Sequence, residues 1–271
     1  MSTLEAIVLG IVQGLTEFLP ISSTGHLRIV PAFAGWEDPG AAFTAVTQLG
    51  TLAAVLLYFR NDLWRIAIAF VRGLRDPAIR RTTDSRIGWY IVLGTIPISI
   101  FGFVFSDQIE EEARSLRLIG TTLIVLGLLL LVAERMGKRE RDLDDLTLRD
   151  GIVIGFAQAA ALVPGVSRSG ATLTAGLFLN LERAAAARYS FLLSVPAVVL
   201  SGLYELQDIG GEGAVGAGPT VIATVLAFVS GYAAIAFLLR FLASNSTLVF
   251  VVYRVIVGAL VLALVSAGAI D

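Results

Sequence analysis

The sequence predicts an all-α polytopic membrane protein with six transmembrane helices and two re-entrant helix-turn-helix hairpins, arranged as an inverted-topology repeat. Three observations predict it. Charge is too scarce to cover a soluble surface, six apolar runs have spanning length, and two further apolar stretches are broken at their middles by Pro, Ser and Gly.

Of 271 residues, 56% are hydrophobic and 15% charged, and the mean hydropathy is +0.82. Soluble domains carry roughly 25% charged residues, so lipid is the solvent this surface suits. A net charge of −2 gives nucleic acid no electrostatic footprint. The absence of cysteine excludes disulfides, zinc-thiolate centres and thiol nucleophiles. Met1-Ser2-Thr3-Leu4-Glu5 places no basic residue before the first apolar stretch, so the N-terminus reads as part of the mature chain rather than a signal peptide.

Crossing the hydrocarbon takes roughly 20 apolar residues. Runs that meet this requirement lie near Ala41–Phe59, Ile87–Phe105, Leu116–Ala133, Tyr189–Glu205, Val221–Leu239 and Thr247–Ala267. Leu4–Ala34 and Gly151–Leu181 are equally apolar, but each half is too short to span alone. The first breaks at Leu19-Pro20-Ile21-Ser22-Ser23-Thr24-Gly25-His26, the second at Val163-Pro164-Gly165-Val166-Ser167-Arg168-Ser169-Gly170. Broken helices expose backbone groups that lipid cannot satisfy, so such breaks belong inside protein or against a wet cavity. Each break also puts Ser or Thr where a second helix would need its N-cap.

The breaks match one another. Gly10, Gln13, Ser22 and Gly25 correspond to Gly155, Gln158, Ser167 and Gly170, each 145 residues later. The chain therefore reads as a single integral membrane domain, 1–271, with one repeat over about 1–134 and the other over about 150–268. Repeated broken helices point to a site between the breaks near the midplane.

Arginines set the orientation. The Arg60–Arg86 connection holds Arg60, Arg65, Arg72, Arg75, Arg80, Arg81 and Arg86, and the Arg135–Arg149 connection is also basic; both fall on the cytoplasmic side. The acidic Asp107–Arg117 and Asp208–Glu212 connections fall outside. The assignment closes only if each hairpin returns to the side it entered, the first from outside and the second from the cytoplasm.

The polar residues of the breaks carry the chemistry. An ionisable side chain at membrane depth costs about 2.5–3.5 kcal/mol on insertion scales, yet Glu17, His26 and Arg168 sit there with Ser22, Ser23, Thr24, Ser167, Ser169 and Thr172. Arg168 at a helix start suits an oxyanion, because a guanidinium fork and first-turn N–H groups converge on it. Glu17 and Gln13, four apart on one helical face, offer hard oxygen ligands for Mg²⁺ or Ca²⁺. His26 is the single histidine, which excludes a two-histidine metal site; three residues after Ser23, it suits general acid–base work. Taken one at a time, the hydroxyls are more often plain helix caps and Gln13 an interhelical hydrogen bond. Gln48 either lines the cavity or bonds a neighbouring helix. Arg254 and Glu205 read as snorkelling or packing charges near span ends.

Two stretches then carry a resemblance. Gln13-Gly14-Leu15-Thr16-Glu17-Phe18-Leu19-Pro20-Ile21-Ser22-Ser23-Thr24-Gly25-His26 and Pro164-Gly165-Val166-Ser167-Arg168-Ser169-Gly170-Ala171-Thr172 look like the two signatures of the bacterial undecaprenyl-diphosphate phosphatases, also called bacitracin-resistance proteins. The likeness covers the whole chain in length and span pattern. It implies hydrolysis of the terminal phosphate of a polyprenyl diphosphate in the bacterial inner membrane, which regenerates the lipid carrier for cell-wall synthesis. Glu17, Ser23, His26 and Arg168 match the family's functional positions, and Ser22, Ser167, Ser169 and Thr172 its supporting polar ones. Thr24, Gly170 and Gln48 join the expected substrate contacts. The family's first motif begins with Glu or Gln; here it is Gln13, so that position is no obligatory carboxylate.

On this reading a divalent cation on Glu17 and Gln13 neutralises the diphosphate, while Arg168 and the Ser167–Gly170 turn hold its oxygens. Ser23 or His26 attacks phosphorus, or His26 activates water; the sequence does not choose. With the first hairpin opening outward, hydrolysis is expected on the periplasm-like face. A polyprenyl-phosphate transporter or flippase is the rival class, since inverted repeats and buried charges serve transport equally. Oligomeric state stays open, a homodimer included.

Overall fold

The structure is a computed structural model and describes residues 1–105, 115–205 and 216–270, apart from the side chains at 41, 42 and 203–205. Helices dominate: α1 (Thr3–Phe18), α2 (Ser23–Ala34), α3 (Gly40–Tyr58), α4 (Arg60–Gly73), α5 (Pro77–Arg80), α6 (Thr83–Val104) and α7 (Leu116–Met136), then α8 (Leu148–Ala159), α9 (Arg168–Phe178), α10 (Arg183–Glu205), α11 (Ala217–Leu242) and α12 (Leu248–Ser266). Among the described residues there is no strand, only an isolated bridge between Arg141 and Leu181.

Five helices, α6, α7, α10, α11 and α12, are individually long and apolar enough to cross a membrane. The sixth expected span, Ala41–Phe59, qualifies only together with α4, from which it is bent by 77°. The bend falls where the apolar run meets Arg60, Asn61 and Asp62. These residues cannot continue into hydrocarbon, so the chain turns and keeps its hydrogen bonds in a second, amphipathic helix. On α4, Ile66 is buried while Trp64 is 71% exposed, and Asp62 ties the helix to α10 by accepting from Arg188 at 2.7 Å. The sequence reading left 60–86 as a basic connection and missed both α4 and α5, because arginines masked the 3.6-residue period. Residues 107–114 and 208–212, from the connections expected outside, and the Glu205 side chain, lie beyond the described residues.

Both predicted breaks are real, and their flanking helices pack against each other: α1 on α2, and α8 on α9. The correspondence reaches further than the four residues that revealed it. Ser2 and Glu5 form a capping box at the start of α1, and Thr147 and Asp150 form another at the start of α8, again 145 residues apart. A reciprocal cap satisfies two otherwise orphaned backbone donors, so each first helix starts at a fixed residue.

Helix α1 packs on α11, and α8 packs on α6. Glycine makes both contacts close. A Cβ on Gly10 would stand 2.4 Å from the Ala223 carbonyl, and one on Gly155 would stand 2.5 Å from Gly94. Lipid supplies no hydrophobic drive between helices, so close backbone approach at small residues is what holds such pairs together. Between these pairs lies an aromatic floor, in which Phe18 meets Phe191 edge-on at 5.3 Å and Phe59 is buried.

Candidate active site

Each second helix begins at a serine in a conformation that L-residues seldom adopt. Ser22 has φ 78° and ψ 102°, and Ser167 has φ 72° and ψ 115°. Each accepts at its own Oγ from the N–H three residues on, Gly25 at 3.3 Å and Gly170 at 3.1 Å. Each also shares a hydroxyl contact two residues on, Ser22 with Thr24 at 3.3 Å and Ser167 with Ser169 at 3.1 Å. Strain at a positive φ persists only where its surroundings over-determine it, and it clusters at functional sites. Here it redirects the chain so that two helix N-termini can face one point.

The two breaks do meet. Arg168, first residue of α9, forms an ion pair with Glu17 at the end of α1, and Ser169 donates to the Leu19 carbonyl at 3.0 Å. Glu17 is the hub. Its Oε2 accepts from Ser23 at 2.6 Å and from Gln13 at 3.1 Å, and its Oε1 accepts from Arg168 and, at 3.4 Å, from Gln48. The Glu17 side chain is 5% exposed and Arg168 16%. A buried carboxylate needs this many donors, because desolvation would otherwise neutralise it.

His26 is buried but points elsewhere. Its Nδ1 lies 2.7 Å from the Ser22 carbonyl and its Nε2 lies 2.7 Å from the Tyr253 hydroxyl. The Ser23 hydroxyl therefore belongs to Glu17, not to the histidine three residues away. Thr172 is fully buried; its hydroxyl donates to the Arg168 carbonyl at 2.7 Å and meets Ser190 at 2.5 Å, so it braces Arg168 from behind rather than facing a ligand. Ser22 and Ser167 are spent as caps, Ser23 is half-buried, and Thr24 is exposed beside it.

Arg254 on α12 is corrected outright. It does not snorkel, being 1% exposed. Its guanidinium donates to the carbonyls of Pro20 at 3.0 Å, Gly165 at 2.9 Å, Val166 at 3.1 Å, Leu123 at 3.1 Å and Thr122 at 3.4 Å. One side chain thus satisfies backbone of both breaks, which no lipid could do. The signal was a charge several residues inside the apolar run of α12. The sequence could not say what it would meet. Tyr253, next to it, was missed because a lone Tyr in a span carries no charge signal.

The expected cation ligands can be tested on the donor set. Gln13 is 1% exposed, and its Oε1 is a buried oxygen with no hydrogen-bond partner. In the structure the Gln13 amide turns its Nε2, not this oxygen, toward Glu17, so the pair offers two oxygens to one cation only with the amide turned over. Among the described residues no group of three acidic or histidine side chains forms a complete metal cage. Two protein oxygens fit Mg²⁺, which keeps several waters and takes its other ligands from substrate phosphates.

The break geometry also makes a prediction. Gly165 has φ +85°, and a Cβ there would stand 2.0 Å from Thr122 Oγ1 and 2.9 Å from the Ile119 carbonyl. Gly165→Ala should destabilise the protein by about 2–5 kcal/mol, combining backbone strain with overpacking. A thermal melt of the detergent-solubilised protein checks this, and an unchanged midpoint would contradict the geometry.

Residues 6–260 match the family model described as bacitracin resistance protein BacA. A Nocardioides sp. protein named undecaprenyl-diphosphatase is 56% identical over 268 residues, covering 98% of each chain. A Thermobifida fusca protein of the same name is 54% identical, covering 99% of this chain and 92% of its own. One from Myxococcus xanthus is 55% identical, covering 99% and 91%.

Proposed function

The chain belongs to the bacitracin resistance protein BacA family, and from that premise we propose that it is an undecaprenyl-diphosphate phosphatase, acting on the terminal phosphoanhydride of a membrane-borne polyprenyl diphosphate. The observation that carries this reading is the convergence of Glu17, Ser23 and Arg168 from two broken helices inside a multi-pass membrane protein. A diphosphate needs cations and donors, its polyprenyl tail needs lipid at the door, and this site offers both.

In the structure Arg168 is paired with Glu17. Substrate exchanges that partner: phosphate oxygens take the guanidinium fork and the N–H groups at the start of α9. Bound Mg²⁺ or Ca²⁺, held by Glu17 and the Gln13 Oε1, would supply charge neutralisation of the diphosphate. Ser23 is the nucleophile that the geometry favours, since its hydroxyl already donates to a carboxylate at 2.6 Å. As the Oγ–P bond forms, the Oγ proton passes to Glu17, the anhydride P–O bond breaks and polyprenyl phosphate leaves. Water then attacks the phosphoserine phosphorus as the P–Oγ bond breaks, Oγ takes the proton back from Glu17 and inorganic phosphate leaves. Phosphoryl transfer rests on positioning and charge more than on covalent chemistry, and two guanidinium groups against one carboxylate leave the site with net positive charge.

The basic connections favour a cytoplasmic position for α4 and the Arg135–Arg149 segment. With both hairpins re-entrant, the Glu17 site then opens to the periplasmic or outer face.

The test is phosphate release from undecaprenyl diphosphate in detergent, where no second compartment exists and a pure transporter releases nothing. Release should be strong, should fall at least tenfold with chelator and should return with Mg²⁺ or Ca²⁺. Silence in detergent would favour the transporter reading. Full activity under chelation would remove the cation and leave Glu17 as the proton acceptor alone.

A further inference from the structure

His26 is a buried titratable group of the site whose bonds leave the Glu17 cluster, and where they lead assigns a role to a residue outside both motifs. A carbonyl only accepts, so the Ser22 carbonyl 2.7 Å from Nδ1 fixes the proton of neutral His26 on Nδ1. Nε2 is then the bare, basic nitrogen, and its partner at 2.7 Å is the Tyr253 hydroxyl, which must donate. The two rings lie nearly parallel, with centroids 5.6 Å apart and planes inclined by 14°. One ring nitrogen anchored and the other capped leave the imidazole no freedom to flip.

We propose that Tyr253 is a positioning residue for hydrolysis, one that holds His26 in the Nδ1–H tautomer with Nε2 as its basic nitrogen. When Nε2 is protonated the hydrogen bond reverses. The imidazolium N–H donates, and the phenol rotates about its C–O bond to accept and turns its own hydrogen away. Nothing else need move, and no atom is gained or lost by the pair beyond the one proton. His26 is 5% exposed and Tyr253 40% exposed, so the phenol covers the buried nitrogen from the outer face of α12, the face that also carries Val249, Val252 and Ile256. The neighbouring Arg254 pins the breaks, so one turn of α12 fixes both the backbone of the site and its histidine. The hydrogen bond made by one ring nitrogen sets the state of the other, so the Ser22 carbonyl and the Tyr253 hydroxyl together select one form of His26.

This inference rests on the phosphatase reading for its kinetic half only. The chain has one histidine, so selectively ¹⁵N-labelled protein gives a single imidazole spectrum whose two-bond couplings report the tautomer without any turnover. The wild-type protein should show Nδ1–H with a hydrogen-bonded Nε2. In Tyr253→Phe, which keeps the ring and loses the hydroxyl, the Nε2 resonance should move to the position of an unbonded pyridine-type nitrogen. On undecaprenyl diphosphate in detergent, the same variant should lose at least tenfold in kcat with KM within twofold; a tyrosine that merely bonds the ring would move the resonance and leave both kinetic constants alone. An Nε2–H tautomer in wild type, or a Tyr253→Phe protein with the wild-type Nε2 resonance or the wild-type kcat, overturns the proposal. If the wild-type protein releases no phosphate, it is the phosphatase reading that fails, and the spectrum still decides whether Tyr253 holds His26.

Discussion

Arg168→Lys should reduce kcat/KM by about 30- to 1000-fold, the equivalent of roughly 2–4 kcal/mol of transition-state stabilisation at 1.36 kcal/mol per decade. Charge is conserved in this exchange; geometry is not. Arg168 leads α9 from the far side of the site, and its planar fork can grip two phosphate oxygens at once while the helix N-terminus faces the same anion. An ammonium makes one point contact on a flexible stem. Thr172 holds the Arg168 carbonyl at 2.7 Å and so fixes the turn from which the side chain springs, which a lysine inherits without benefit. Stability should barely change, because Glu17 keeps its bonds from Ser23, Gln13 and Gln48 and a lysine can still pair with it. Melting temperature and steady-state rate measured on one preparation separate the two effects. A variant that keeps more than half of the wild-type rate would sink the role given to the fork.

The residues of the site were legible because membrane depth makes polar groups conspicuous. Glu17, His26 and Arg168 stood out by their desolvation cost, and the breaks by Pro, Ser and Gly inside apolar stretches. Their division of labour was not legible. Sequence spacing set His26 beside Ser23, but the strained Ser22 cap turns the Ser23 hydroxyl toward Glu17, and no local rule foresees a positive φ at serine. The repeat was seen through four residues, yet its clearest marks are the paired capping boxes and the twin caps at Ser22 and Ser167. Those depend on which hydroxyl bonds which N–H. The repeat also places Ser23 and Arg168 at equivalent positions, each first in its helix, while Leu162 and Ala171 stand where Glu17 and His26 would recur. Symmetric scaffolding thus aims unlike groups, a hydroxyl and a guanidinium, at one point. Helix α4 was lost for the opposite reason: its charges looked like a loop, and only packing through Asp62 and Ile66 reveals its face.

Arg254→Met is the other substitution expected to act severely, on folding and activity together. Deleting a buried charge can stabilise a protein when the site simply becomes apolar, so the sign has to be argued. Among the described residues Arg254 faces no carboxylate. Its solvation shell is made of main-chain carbonyls, so removing it leaves no stranded counter-charge. What it strands is backbone: the carbonyls of Pro20, Gly165 and Val166, all within 3.1 Å of its nitrogens, lie in breaks that cannot form helical hydrogen bonds. Each buried carbonyl left without a donor costs about 1–3 kcal/mol, so three of them approach the whole stability of an ordinary fold, about 5–15 kcal/mol. The relief of desolvation is small by comparison, because five carbonyl dipoles already solvate the guanidinium. Arg254→Met should therefore melt far below wild type and be inactive. Arg254→Lys keeps the charge but has three donors on one nitrogen, too few and too concentrated to reach both breaks. It should fold with a lowered midpoint and lose at least tenfold in rate. A side chain that merely snorkelled would tolerate lysine with no loss of either, and wild-type melting and turnover in Arg254→Lys would remove Arg254 from the architecture of the site.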